Sequence, residues 1–143
     1  MDNFRQYCTF FVNHLFFGVE VEKVQEVIRF QNMTRVPLAP PEICGLINLR
    51  GQIVIAIDLR RRLAFPDRTA EQQPMNVVMR NDEEIVSFLV DEIGDVLEVN
   101  ENTFEPPPPT LSGNQRQLIR GAYKLKDKLL LALDAEKTMD FAV

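Results

Sequence analysis

The sequence predicts a mainly β fold in which one β unit occurs twice. Short aromatic and β-branched runs alternate with turn signals along most of the chain, as in β-barrels and sandwiches. Helical patterns are few and short. Two segments of the first half also match segments of the second half at nearly the same offset, which is typical of an internal repeat.

Three β-hairpins are predicted from pairs of apolar runs that flank short polar segments. The third hairpin bends at Arg50-Gly51-Gln52, because glycine tolerates the positive φ of a tight turn. Arg50 therefore ends a strand at a bend and need not lie inside a buried strand. The predicted strands are 7–12 with 15–21, 76–80 with 84–90, and 46–50 with 52–59.

Helices and one long loop complete the predicted elements. Proline at a first helical position predicts a short helix over 40–44, and the C-terminal segment 134–141 predicts another. Residues 105–117 contain four consecutive prolines followed by Ser-Gly-Asn, so they are predicted to form a loop with polyproline character.

The repeat becomes visible when the sequence is laid over itself. At an offset of 69, residues 7–28 lie over 76–97, and at an offset of 76, residues 45–59 lie over 121–135. We therefore expect two β-barrel halves, approximately 7–67 and 76–135, followed by the helix 134–141.

The repeat also aligns charged residues. Glu26 falls on Asp95, and Arg50 falls on Lys126. One interpretation is that all four are solvated turn and edge charges, since exposed pairs contribute little. The other is that each half pairs its acid with its base where two strands meet, and so shapes a groove between the halves.

Composition narrows the classes of function. The 143 residues carry a net charge of -5 with a sequence pI near 4.9, which disfavours nucleic acid and anionic membranes as main partners. No apolar run approaches the roughly 20 residues of a membrane helix, and no basic-then-apolar leader is present. We therefore expect a cytoplasmic protein without membrane insertion. In that compartment Cys8 and Cys44 are expected to be reduced, and both are expected to be buried.

Few residues suit catalysis or cofactor binding. His14, the only histidine, lies in a predicted turn, so neither a metal cluster nor a nucleophile-histidine arrangement is supported. The six glycines form no phosphate-binding loop. Asp91, Glu92 and Asp95 are weak candidates for a carboxylate pair. We predict no enzymatic activity, no cofactor and no metal.

Two binding features have alternative interpretations. The arginines at 60–62 could form a basic patch for nucleic acid, or a solvated turn anchored by the apolar residues that follow. Two apolar triplets could be plain core, or their outer members could line a surface groove. The triplets are Val21, Val24 and Val27, and Val90, Ile93 and Val96.

Four segments together resemble the CheW-like family of bacterial chemotaxis. They are "GVEVEKVQEVIRF", "MTRVPLAPPEICGLINLRGQIVIAIDLRRRL", "VDEIGDVLEV" and "IRGAYKLKDKLLLALDAEKTM". The resemblance extends from about residue 5 to residue 140, and "GLINLRGQIVIAIDL" is its most specific segment.

The resemblance implies one CheW-like domain over 1–143, made of two five-stranded SH3-like β-barrels in tandem with short helices. It implies a non-catalytic adaptor that links the cytoplasmic tip of methyl-accepting chemoreceptors to the regulatory domain of the histidine kinase CheA. Barrel ends would contact the kinase to build arrays at the membrane receptors, and ring assembly is a further option. A chain of 143 residues has no room for kinase or receiver domains, so the stand-alone adaptor is expected.

Site residues follow from the same resemblance. Val24, Gly45, Arg50 and Val96 match positions of the receptor-binding region, and Glu26 matches the acidic partner of Arg50. Ile93, from the second apolar triplet, is the remaining candidate for the groove.

Overall fold

The computed structural model describes residues 3–140, which form eleven strands in two sheets together with three short α-helices and two 3₁₀ helices. This confirms the predicted mainly β fold. The strands are β1 Phe4–Val12, β2 Leu15–Glu20, β3 Val24–Ile28, β4 Ile43–Leu49, β5 Gln52–Asp58, β6 Met75–Arg80, β7 Ile85–Val90, β8 Glu92–Asn100, β9 Phe104–Glu105, β10 Ile119–Lys124 and β11 Leu129–Leu133. The helices are α1 Leu59–Arg62, α2 Gly113–Leu118 and α3 Ala135–Met139, and the 3₁₀ helices are Val21–Lys23 and Glu101–Thr103.

The three predicted hairpins are present as β1–β2, β6–β7 and β4–β5. Two of them turn through residues with positive φ. Asn13 and His14 have φ of 51° and 68°, and Arg50 and Gly51 have φ of 51° and 86°. Two successive residues with positive φ are typical of the tight turns that match the twist of antiparallel strands. Arg50 is therefore held at the tip of its hairpin.

Hairpins are exchanged between the two sheets. The five-stranded sheet has the order β3-β6-β7-β5-β4, and the six-stranded sheet has the order β8-β1-β2-β11-β10-β9. The first repeat thus contributes β3, β4 and β5 to one sheet and its hairpin β1–β2 to the other. The two sheets therefore do not follow the expected halves 7–67 and 76–135, although the repeated strands occupy equivalent places.

Short connections link the two sheets. The chain passes from β2 to β3 through the 3₁₀ helix Val21–Lys23, and from β7 to β8 through Asp91 alone. At each of these connections the chain continues into the neighbouring sheet instead of reversing within its own. Each sheet is then completed by one parallel pair, β2 with β11 or β7 with β5. We refer below to these two connections as the crossovers.

The main core lies between the sheets. Its buried side chains come from strands of both sheets, and β7 is buried along both faces from Val86 to Val90. A smaller cluster fills the inside of the six-stranded sheet around Tyr7, Tyr123 and Leu130. Large side chains of the main core include Phe10, Phe17, Ile57, Met79, Phe88 and Leu131. The sheets are therefore joined by a continuous apolar junction, where most of the hydrophobic stabilisation is concentrated.

The structure corrects the predicted helix over 40–44. Pro41 and Glu42 form a turn, and Ile43 begins β4. Ile43 pairs with Ile57, and the Asp58 N–H donates to the Glu42 carbonyl at 2.8 Å. Pairing with β5 satisfies these backbone groups without a helix.

Two further elements differ in part from the prediction. The segment 105–117 is a loop only from Pro106 to Ser112. Glu105 belongs to β9, and α2 begins at Gly113, where the Ser112 N–H donates to the Gln115 side chain at 3.2 Å. The C-terminal helix spans Ala135–Met139, with Asp134 accepting from the Lys137 N–H. Position 141 of the predicted range lies outside the described residues.

Candidate functional site

Glu26 and Arg50 form a two-pronged ion pair. The Nη1 and Nη2 atoms of Arg50 donate to Oε2 and Oε1 of Glu26 at 2.8 and 2.7 Å. Glu26 lies in β3, and Arg50 lies at the tip of the β4–β5 hairpin. Since β3 and β4 are the two edges of the five-stranded sheet, the pair closes this sheet on itself.

Backbone hydrogen bonds also close the five-stranded sheet beside the ion pair. Thr34 exchanges two hydrogen bonds with Leu46 of β4, at 2.9 and 2.7 Å. A Cβ atom on Gly45 would lie 2.7 Å from the Thr34 carbonyl oxygen and 3.0 Å from the Met33 Cβ. The absence of a side chain at Gly45 is therefore what lets the segment after β3 approach β4 so closely.

The ion pair is displayed to solvent on its cationic side. The side chain of Arg50 is 73% exposed, whereas that of Glu26 is 20% exposed. Hydrogen bonds from Arg50 lower the pKa of Glu26, so the carboxylate remains ionised at neutral pH. Fork-shaped pairing also fixes the guanidinium plane. Arg50 is thus an oriented cation at a sheet edge.

Four apolar side chains of the edge strands β3 and β8 lie at the margin of the main core. Val24 of β3 and Ile93 of β8 pack against that core and are half-buried. Val27 of β3 and Val96 of β8 are exposed. Their pairing partners, Val77 and Cys8, belong to the core or pack on it, so both valines project on the core side of their strands. We call Val24, Val27, Ile93 and Val96 the junction strip.

The second repeat does not form the matching ion pair. Asp95 and Lys126, at the positions equivalent to Glu26 and Arg50, form no ion pair within residues 3–140. They instead line a cavity of about 390 Å³ together with Phe11, Phe16 and Leu97. Lys128 lies over the Phe16 ring at 4.7 Å, where its charge is stabilised by the aromatic face. The expectation that both halves pair acid with base is therefore wrong for the second half.

The arginines at 60–62 are engaged within the protein. Arg60 is buried and bonded to Asp91, and Arg61 donates to Asp67 and to the Pro41 carbonyl. Arg62 donates to main-chain carbonyls at the end of α3. Neither the basic patch nor the fully solvated turn describes them, because the β5 strand leads directly into α1 and directs them to different acceptors.

The carboxylates considered for acid-base chemistry are not placed for it. Asp91 accepts hydrogen bonds from Arg60 and from the Asn13 N–H. Glu92 and Asp95 are exposed on β8. Within the described part of the chain, no group of three or more histidine, cysteine, aspartate or glutamate side chains is arranged to hold a metal ion. His14 is exposed in its turn.

No helix between residues 3 and 140 is long and apolar enough to cross a bilayer.

Comparison with known proteins gives concordant results. The model of the CheW-like domain family matches residues 6–142. "Chemotaxis protein CheW" of Bacillus subtilis (strain 168) is 33% identical over 131 residues, which are 92% of this chain and 84% of that protein. "Chemotaxis protein CheW" of Klebsiella aerogenes is 27% identical over 135 residues, covering 94% of this chain and 81% of that protein.

A solved structure agrees with the fold. The crystal structure of the scaffolding protein TtCheW from Thermoanaerobacter tengcongensis superimposes with a TM-score of 0.85 at 26% identity, covering 99% of this chain and 94% of that one. The family match over nearly the full described range, the similar chemotaxis proteins and the solved structure lead to one conclusion. The chain belongs to the CheW-like domain family.

Proposed function

We propose that this protein is a non-catalytic chemotaxis adaptor that couples methyl-accepting chemoreceptors to the histidine kinase CheA in cytoplasmic signalling arrays. The observation that carries the proposal is the orientation of Arg50, which Glu26 holds with its guanidinium group facing solvent. This ion pair lies in the sheet that also contains half of the junction strip. This combination suits recognition of a protein surface. The similarity to chemotaxis proteins supplies the class of partner.

The receptor would occupy the groove at the junction strip. A helix of the receptor tip can place apolar side chains against Val24, Ile93 and Val96, as in other helix-in-groove complexes. Apolar anchors of this kind usually provide most of the affinity. Arg50 would donate hydrogen bonds to acceptors on the receptor, while Glu26 and Gly45 keep it in place.

The kinase would use other surfaces. The regulatory domain of CheA would contact barrel ends, and the same surfaces would permit rings of this protein. Each contact can be weak, because an array repeats it many times and so raises the effective affinity. No cofactor is required for such a role.

A binding measurement tests the receptor proposal. The full chain is titrated with a soluble receptor-tip hairpin in a calorimeter, and Arg50→Ala and Val96→Asp are compared with the wild type. Both variants are expected to weaken binding by about tenfold or more. Arg120→Ala is the matched control, since Arg120 forms an exposed ion pair with Glu20 on the six-stranded sheet. Equal binding by all four proteins would refute the proposed groove.

The nucleic-acid alternative has a separate test. It requires retention on heparin that falls when Arg60, Arg61 and Arg62 are neutralised. The contacts of these three arginines with acceptors inside the protein argue against it. We expect no retention at physiological salt.

A further inference from the structure

The two crossovers between the sheets occupy equivalent positions in the repeat. The first crossover is the 3₁₀ helix Val21–Lys23, and the second is Asp91. Each is followed by an edge strand that carries half of the junction strip, β3 or β8. Each crossover therefore sets where its edge strand begins.

Asp91 binds both sheets at once. Its N–H donates to the Phe11 carbonyl at 2.9 Å, and its carboxylate accepts from the Asn13 N–H at 2.8 Å. Both acceptor and donor belong to the hairpin β1–β2 of the six-stranded sheet. On the other side, Arg60 donates to the same carboxylate through Nε at 3.0 Å and Nη2 at 2.7 Å. Arg60 lies in α1, which directly continues β5 of the five-stranded sheet.

A second cation completes a buried cluster. Arg68 donates through Nη1 to Asp58 at 2.9 Å and through Nη2 to the Leu89 carbonyl at 3.1 Å. Its Nε lies 2.8 Å from Asp91 Oδ1 as a charge contact without hydrogen-bond geometry. Exposure of these side chains and of Arg60 lies between 7% and 13%. Buried charges have few alternative partners, so such a cluster favours one geometry.

The first crossover has a weaker counterpart of this contact. Lys23 Nζ lies 3.0 Å from Glu136 of α3, and the two side chains are 32% and 53% exposed. Glu136 follows the capping residue Asp134 by two positions, as Arg60 follows the capping residue Asp58. The polarity is reversed, with the cation on the crossover and the anion on the helix. The second crossover is therefore held by a buried two-pronged ion pair, and the first by a single exposed ion pair.

We propose that Arg60 and Asp91 are a positioning pair that sets the separation of β3 and β8, and thereby the width of the groove at the junction strip. Ile93 follows Asp91 by two residues on β8, so a shift of the crossover moves that wall of the groove. The contact between Lys23 and Glu136 is exposed to solvent, so it leaves the separation of β3 and β8 unaffected. The inference rests on the proposed receptor groove for its functional meaning, but its geometric part can be measured without a receptor.

The geometric test measures the distance between the two edges. Spin labels are attached to Val27→Cys and Val96→Cys, both exposed, in a full chain that carries Cys8→Ala and Cys44→Ala. Arg60→Met is expected to broaden or displace the distance distribution, and Lys23→Met is the matched control with no expected change. Arg60→Lys keeps the charge but not the fork, so an intermediate distribution is expected. If Arg60→Met fails to fold, the distance distribution of Arg60→Lys still tests the proposal.

The functional test uses the unlabelled variants with the receptor-tip hairpin. Arg60→Met is expected to bind about tenfold more weakly than the wild type, with partial recovery in Arg60→Lys and no change in Lys23→Met. Distance distributions for Arg60→Met and Arg60→Lys that match the wild type would overturn the positioning role. A wild type that does not bind the hairpin would instead refute the receptor groove, while the distance measurement still decides the geometry.

Discussion

Arg50 bonds to Glu26 across the opening between two strands that lie at opposite ends of one sheet. The pair therefore contributes to closure of that sheet as well as to its surface. Next to it, Thr34 and Leu46 pair through the backbone. The closure consequently has an exposed ionic part and a protected backbone part, and the two should respond differently to substitution.

Loss of the ionic part is expected to leave the fold stable. Arg50→Gln should shift the unfolding temperature only slightly, because Arg50 is largely exposed and exposed ion pairs are screened by salt. Thermal unfolding at low and high salt checks this, and the small difference between variant and wild type should shrink in high salt. A large, salt-independent loss would show that the pair is a main source of stability.

A side chain at Gly45 is expected to destabilise the fold more than loss of the Glu26–Arg50 ion pair does. Gly45→Ala places a Cβ atom 2.7 Å from a carbonyl oxygen that belongs to the backbone and cannot rotate away. We expect a decrease in the free energy of unfolding of about 1–3 kcal/mol, measured by urea titration.

Gly113→Ala is the control, because nothing lies within 4 Å of a Cβ atom at that position. It should be neutral or slightly stabilising, since alanine favours a helix over glycine. Equal stability of the two variants would contradict the role assigned to Gly45.

Acid is expected to weaken the buried cluster through Asp91. Burial by itself would raise the pKa of Asp91, but hydrogen bonds from Arg60 and Asn13 and the charge of Arg68 outweigh it and hold the pKa below its ordinary value. A carboxyl group with a depressed folded pKa stabilises the fold above its unfolded pKa, and this contribution is lost as pH falls through the folded pKa.

Asp91→Asn tests this linkage. The variant should be less stable than the wild type at pH 7, by about 3 kcal/mol, because it leaves the buried Arg60 without its charged partner. The difference should shrink as pH is lowered from about 5 toward 2. Urea titrations at several pH values measure it, with Asp95→Asn, an exposed site on β8, as control. A difference that is independent of pH would contradict the assignment.

Cys44 is expected to be a slow nucleophile. Burial, together with the charge of Asp58, raises the pKa of its thiol to about 11. Since the thiolate is the reactive form, alkylation of Cys44 in a Cys8→Ala variant should be slow at pH 8 and accelerate up to about pH 11. Mass spectrometry of iodoacetamide-treated protein follows the reaction. A rate that levels off below pH 9 would show that the thiol ionises more easily than its surroundings indicate.

The hairpins could be predicted from sequence because turn residues and apolar alternation are local signals. Asn13 and Gly51 illustrate this, since each lies at the tip where it was expected. The sheet to which a hairpin belongs is not local information. It depends on the short crossovers and on the core between sheets, so the repeat was recognisable whereas the exchange of β1–β2 and β6–β7 was not.

Charged residues show the same division. Pairing of Glu26 with Arg50 follows from the repeat and the family resemblance, and the structure brings the two together. Burial of Arg60 could not be inferred, because three consecutive arginines usually indicate a solvated segment. The acidic residue Asp91, 31 positions away, becomes its partner only when the two sheets have assembled.

The exchange of hairpins has a consequence for synthesis of the chain. When residues 4–67 have left the ribosome, the first repeat has all five of its strands, but the central strands β6 and β7 of one sheet are still missing. The other sheet lacks everything except its hairpin β1–β2. Neither sheet can be completed until the second repeat emerges, so both should form late and together, with a single cooperative folding step and no stable half-length intermediate.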